Sequence, residues 1–337
     1  MRPSVFFGLC ANLFVCPSLA VLTWTPVGCA GVTANGVTID SIWDNALLMV
    51  QTAQTRIDSI RNFPIKAKST RARVANNAHY MFGIDVNWST GFASSTKKTL
   101  SDVRSIYSRM ESKMNEDTNY LLCNDNGFQW GNIGGYTTGV WYYAFPGTND
   151  ALILRSTAGN SAGDPIVPKQ LSYDFEANAG PSTNQNESKA SQRPCGESNL
   201  AGETFTGEYM SSTAGGTVQY TQTTAILLCV QNQLMYKPTL ELGFTVSDNK
   251  GIADEYESVS GTIVHEMVHA LNTHMYWDQT HPDFPNDGLP GYGFDKCMIL
   301  ATKSPQQALV NPDNYRIFAE MCMSPKTEWQ PAEPAGA

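Results

Sequence analysis

Ten residues, Gly261 to Ala270 (GTIVHEMVHA), limit most tightly what this chain can fold into. Thr262, Ile263, Val264, Met267, Val268, Ala270 and Leu271 make an apolar segment that must be buried, and Ser258 or Ser260 can cap its start as a helix. Helical residues four apart lie above one another, so His265 and His269 can turn two imidazole nitrogens to one metal ion with Glu266 beside them. That is the front half of a zinc peptidase site. HExxH fixes only three letters, so the rest of the chain must supply the context.

The 337 residues suffice for a large packed core. Val5 to Val21 is an apolar run after Arg2, and Ser18-Leu19-Ala20 offers a small-residue cleavage site, which predicts a secretory signal peptide over residues 1–20. Cleavage there leaves six cysteines, Cys29, Cys123, Cys195, Cys229, Cys297 and Cys322, an even set suited to disulfides in an oxidising compartment. Asn87-Trp88-Ser89 and Asn186-Glu187-Ser188 are sequons. The formal charge of −9, or −10 without Arg2, argues against nucleic acid and anionic membrane as main partners, since both reward basic patches. A secreted, extracellular monomer is expected.

Along the chain, apolar spacing predicts helices over Val37–Asn62, Ser69–Phe82 and Lys97–Met114. Aromatic and β-branched runs between Gly-rich turns then predict strands, among them Thr137–Phe145 and Thr217–Met235. The second of these is a candidate to hold an extended substrate at a sheet edge. Residues 156–216 are polar and aperiodic and predict a surface insertion. Phe294–Lys303 and Asp313–Met323 predict two short closing helices, and 324–337, with three prolines, a disordered tail. The expectation is one α+β domain over 21–323, zincin-like, with N-terminal helices packed on a small sheet and on the HExxH helix.

A catalytic zinc needs three protein ligands and an open position for water. His265 and His269 supply two, and Glu266 is the natural general base. A third His at metzincin spacing would fall on Met275, with His274 one residue short, and no Glu lies between Glu266 and Glu320. Asp278, Asp283, Asp287, Asp295 and His281 remain.

GTIVHEMVH together with the downstream run YGFDKCMILATKSPQQALVNPDNYRIFAE resembles the deuterolysin and peptidyl-Lys metalloendopeptidase family of fungal secreted zinc peptidases, the aspzincins. The likeness extends to Cys29, Tyr80–Gly83 and Leu228-Cys229, and leaves out 156–216. The family follows HExxH with GTxxDxxYG, in which the Asp is the third ligand and the Tyr assists the transition state. The resemblance therefore implies Tyr292 of Tyr292-Gly293 as oxyanion stabiliser. Gly-Thr is missing here. Asp278 keeps the family distance from His269 but stands 14 residues before Tyr292, where the family has three. Asp287 stands five before Tyr292 and is followed by Gly288, and it is the preferred ligand, with Asp278 second and Asp283 third.

The family's Lys-selecting members carry two acids in the closing helix. Asp313 matches the first, whereas Arg316 replaces the second. The resemblance also suggests the pairings Cys29–Cys123, Cys195–Cys229 and Cys297–Cys322. The implied function is a secreted metalloendopeptidase with one Zn2+, cleaving protein or peptide substrates through a zinc-activated water. The alternative is a catalytically weak or inactive zinc-binding, host-interacting protein on the same scaffold.

Overall fold

The apolar period that predicts the first helix also seats it. Helix α1 (Ile39–Arg61) buries Ile42, Trp43, Met49, Val50, Ala53 and Ile57 along one face, and that face packs on α3 (Ser94–Met114). Helix α2 (Thr70–Phe82) starts at Ser69, whose hydroxyl accepts the amide of Ala72. Residues 22–34, 36–61, 69–85, 94–131, 140–155, 195, 200–212, 217–230, 251–252, 258–272, 275–285, 289–324, 327 and 329–330 are described by the computed structural model of the chain. The expected signal peptide, both sequons and Asp287 lie outside them.

The fold is mixed α and β. Its sheet has seven strands: β1 (Thr25–Val27), β4 (Tyr120–Leu122), β5 (Phe128–Gly131), β6 (Val140–Ala144), β7 (Ala151–Arg155), β8 (Gly202–Ser212) and β9 (Val218–Leu228). Their order is β1-β4-β9-β8-β7-β6-β5, parallel for β1-β4 and β4-β9 and antiparallel elsewhere. The hairpins β2 (Thr33–Ala34) with β3 (Val37–Thr38), and the pair β10 (Gly251–Ile252) with β11 (Trp329–Gln330), stand apart from it. Four helices follow the sheet: α4 (Val259–Leu271), α5 (Phe294–Lys303), α6 (Pro305–Ala308) and α7 (Pro312–Met323).

The run Ala225–Leu228 is apolar at every position because both faces of β9 are covered. Ile226 and Leu228 join the helical core, while Ala225 and Leu227 turn to a second cluster with Phe128, Tyr143 and Phe205. Helix α4 lies between β8 and β9 on one side and α1, α3 and α7 on the other, so the predicted HExxH helix is the centre of the core.

Several expectations need correction. The sheet is not small, and the insertion over 156–216 gives way at Gly202 to an eleven-residue strand. Its sequence, GETFTGEYMSS, mixes the strand formers Thr204, Phe205, Thr206 and Tyr209 with glycine, glutamate and serine, and pairing with β9 along its whole length and with β7 over Thr206–Met210 settles it as a strand. Strand β9 is interior, hydrogen-bonded to β4 at Ala225–Leu227 and to β8, so it offers no edge there for a substrate. The tail is ordered at Thr327 and Trp329, both buried, because one indole carries enough apolar surface to dock and its Nε1–H reaches Met321 O at 3.3 Å.

Disulfides join Cys29 to Cys123 and Cys195 to Cys229. The third suggested pair is not formed: Cys297 and Cys322 are buried free thiols, and Cys297 Sγ faces Gly291 O at 3.5 Å instead. Burial pushes the Cys322 thiol well above its ordinary value, as expected of an inert core thiol. Among the described residues no helix is long and apolar enough to cross a membrane.

Candidate metal centre

Helix α4 begins at Ser258, whose hydroxyl accepts the amide of Gly261 at 2.8 Å. Two turns later His265 and His269 rise from one face, their Nε2 atoms 3.2 Å apart. Oδ1 of Asp278 lies 3.3 Å from Nε2 of His265 and 3.6 Å from Nε2 of His269. The three atoms form a nearly equilateral triangle, and a tetrahedral zinc with bonds of about 2.0–2.1 Å holds its donors about 3.3 Å apart. Oδ1 is buried and has no hydrogen bond of good geometry, so what faces it is the pair of imidazole nitrogens. This donor set, two imidazoles and a carboxylate around one point, fits a divalent cation.

The sequence preference for Asp287 rested on its distance from Tyr292 along the chain. In the structure it is Asp278 that meets both histidines, and Tyr292 still donates its hydroxyl to Oδ2 of Asp278 at 2.7 Å. The intervening loop is closed at its neck. Gly291 N donates to Gln279 O at 2.7 Å, and Asn311 accepts Gln279 N at 2.9 Å while donating to Gly291 O at 2.9 Å. Asp278 and Tyr292 thus stand side by side on the two legs of an inserted loop. Asp283 pairs with His281 within that loop, and Asp295 sits in the first turn of α5.

Each histidine is fixed from behind. Nδ1 of His269 donates to Tyr276 O at 2.8 Å, and Tyr276 is held by Arg109, which donates to its hydroxyl at 3.2 Å. Nδ1 of His265 donates to Oδ1 of Asp313 at 3.1 Å. Such bonds set the tautomer, leaving Nε2 as the lone pair that faces the centre. Asp313, matched by resemblance to a Lys-selecting acid, is buried here behind His265 and accepts from Arg316 and Gly293 N as well.

The charges around the site favour a cation. Burial is the largest single influence on His265 and opposes protonation, but the nearby carboxylate of Asp278, the bond to Asp313 and the charge of Glu266 outweigh it and raise His265 to about 10. His269 is raised for similar reasons. Burial pushes Asp278 up, yet both histidines together hold it well below the usual carboxylate range. Although Tyr292 is 42 % exposed, desolvation about its hydroxyl and the charge of Asp278 push it well above 10, so that hydroxyl keeps its proton at neutral pH.

Glu266 is buried, and the hydroxyl of Thr204 on β8 lies 2.8 Å from its Oε2 and 2.8 Å from its backbone O. Close approach of β8 is possible because residue 202 is glycine: a Cβ there would meet Thr262 Cγ2 at 2.9 Å and Glu266 Cγ at 3.1 Å. Thr204 and Gly202 were hidden within the polar stretch, and Asn311 had no signal beyond its place in the closing motif.

Comparison with curated proteins and with solved structures finds no match. Comparison with family models does: residues 204–320 match the aspzincin family, described as lysine-specific metallo-endopeptidase. That span begins at Thr204 and ends at Glu320, and includes His265, Glu266, His269, Asp278, Tyr292 and Asp313. The portion of the chain that builds this site is therefore similar to the aspzincin family over residues 204–320.

Proposed function

We propose that this chain is a secreted zinc metalloendopeptidase that hydrolyses peptide bonds in protein or peptide substrates. One zinc ion is held by Nε2 of His265, Nε2 of His269 and Oδ1 of Asp278. The observation that carries this reading is the near-equilateral triangle of those three atoms, 3.2, 3.3 and 3.6 Å on a side, with Glu266 next to it in sequence. The family match supports the reaction class, and two disulfides support an oxidising compartment.

Bound zinc supplies a Lewis acid that brings the pKa of water towards about 7 and polarises the scissile carbonyl. Glu266 takes the proton from the attacking water at Oε1, since Oε2 is engaged by Thr204, and passes it to the leaving amine. Tyr292, still protonated at neutral pH, turns its one hydroxyl proton from Oδ2 of Asp278 to the carbonyl oxygen as negative charge develops there. His265 and His269 keep their lone pairs on the ion because Asp313 and Tyr276 O hold their Nδ1 protons.

Zinc content and hydrolysis of an unfolded protein, measured on wild type and Glu266→Ala, test the reading. It expects one zinc per chain in both and turnover only in wild type. Zinc in both with equal inertness would sink it in favour of a non-catalytic zinc-binding protein.

A further inference from the structure

Helices α4 and α7 meet at two places. His265 bonds to Asp313, and Ser258 donates its hydroxyl to Oε1 of Glu320 at 3.1 Å. On each helix the two contacts are seven residues apart, about two turns, and they run in opposite order, so one face of each antiparallel helix is in register with the other. The seat is tight: a Cβ on Gly261 would stand 2.1 Å from Oε1 of Glu320.

Arg316 lies between the two contacts. Its Nε and Nη2 donate to Oδ1 and Oδ2 of Asp313 at 2.5 and 2.9 Å, and its Nη1 donates to Oε2 of Glu320 at 3.1 Å. All of these groups are buried: Asp313 and Glu320 are 2 % exposed, Arg316 and His265 7 %. Two carboxylates this deep are costly without a cation, and the planar guanidinium serves both with separate N–H groups, which a lysine ammonium cannot match in geometry. A buried ion pair in an ordinary helix interface contributes little net stability. This one ends on the far nitrogen of a histidine that faces the metal centre, and on the N-cap of the helix that carries it.

We propose that Arg316 is a positioning residue for the metal centre, acting through Asp313 on the ring of His265 and through Glu320 on the seating of helix α4. The inference rests on the reading of His265 as a zinc ligand. It makes an arginine at this place, where the resemblance leads one to expect an acid, part of the support of the metal site.

The test is the zinc Kd of the full chain by chelator competition, with the visible spectrum of the cobalt-substituted protein as a second readout. Arg316→Gln should weaken zinc about 10–100-fold, the scale for groups that orient a ligand, and shift the cobalt bands. Arg316→Lys keeps the charge without the fork and should fall between that variant and wild type in Kd, again with shifted bands. Arg104→Gln, which breaks an arginine–aspartate pair between α3 and α1 remote from the site, in which Nε alone donates to both oxygens of a partly exposed Asp58, should leave both readouts unchanged. The proposal is overturned if wild type binds zinc and both Arg316 variants match it in Kd and spectrum, whatever happens to Tm. Should Arg316→Gln fail to fold, Arg316→Lys decides by the same two readouts. Wild type without zinc affinity overturns the reading of the site itself.

Discussion

Tyr292 donates to Oδ2 of Asp278 at 2.7 Å across an inserted loop, so one oxygen of that carboxylate is engaged and Oδ1 is left facing His265 and His269. Asp278→Asn is therefore expected to weaken zinc by about 100-fold or more, beyond the usual effect of an orienting group. Asp287→Asn should leave zinc affinity within about twofold, because Asp278 already completes the donor triangle with both histidines. Chelator competition on the two variants decides between the carboxylates; zinc lost from Asp287→Asn and kept by Asp278→Asn would reverse the assignment.

Thr204 holds Oε2 of Glu266 at 2.8 Å from a strand that the polar sequence disguises. Glu266→Gln should lower kcat about 10²–10⁴-fold with zinc content unchanged, as for loss of a general base. Thr204→Val removes one hydrogen bond and should cost about tenfold in kcat with little change in KM. Equal activity of Thr204→Val and wild type would show that the hydroxyl does not orient the base.

Helices were legible in the sequence because their apolar period survives on a single face: Ile42, Met49, Ala53 and Ile57 of α1 are all buried. His265, Glu266 and His269 were legible because one helix supplies all three. Asp278 was harder to place, since what returns it to Tyr292 is a loop neck tied by Asn311, a residue distant in sequence. Strand β8 is hard to read because its Thr, Phe and Tyr are broken up by Gly, Glu and Ser within a long polar stretch; neighbouring strands on both sides impose it. Resemblance located Asp313 but gave it the wrong surroundings, because only folding reveals that Arg316 and His265 enclose it.

Protonation of His265 links zinc to pH. Its value rises from 6.5 to about 10 in the fold, so the stability it contributes is complete below 6.5 and is lost as pH climbs through about 10. Asp278 has the opposite sign: depressed in the fold, it contributes stability above its usual 3.8 that is lost as pH falls below it. Zinc-stripped protein should show Tm falling between pH 6.5 and 10, and zinc binding near neutral pH should release protons, seen as a buffer-dependent calorimetric enthalpy. A flat alkaline Tm with no proton release would contradict the charge arrangement.

Trp329 is 3 % exposed, and its indole bonds to the last turn of α7. Trp329→Ala should destabilise the fold by about 3–5 kcal/mol, the usual result of emptying a large buried site. Urea unfolding measures it, and a change below about 0.5 kcal/mol, typical of exposed positions, would mean that the indole does not dock in solution.

Asp313 also bears on what the proposed peptidase would cleave. Its Oδ1 accepts from His265 and Arg316, and its Oδ2 from Arg316 and Gly293 N, so four donors already fill the carboxylate. At 2 % exposure, with its pKa held low against burial chiefly by the Arg316 charge, it has neither an open lone pair nor a net charge to offer a substrate ammonium. A lysine side chain gains from a site only when a carboxylate is accessible and uncompensated, because its own desolvation must be offset. The chain should therefore depart from the lysine specificity in the description of the family model that it matches. In peptides differing at one position beside the scissile bond, kcat/KM for lysine should lie within about tenfold of that for leucine or alanine, a gap of about 1.4 kcal/mol or less. A lysine preference of about 100-fold or more would require an accessible acid and would refute the enclosure of Asp313 by His265, Arg316 and Gly293.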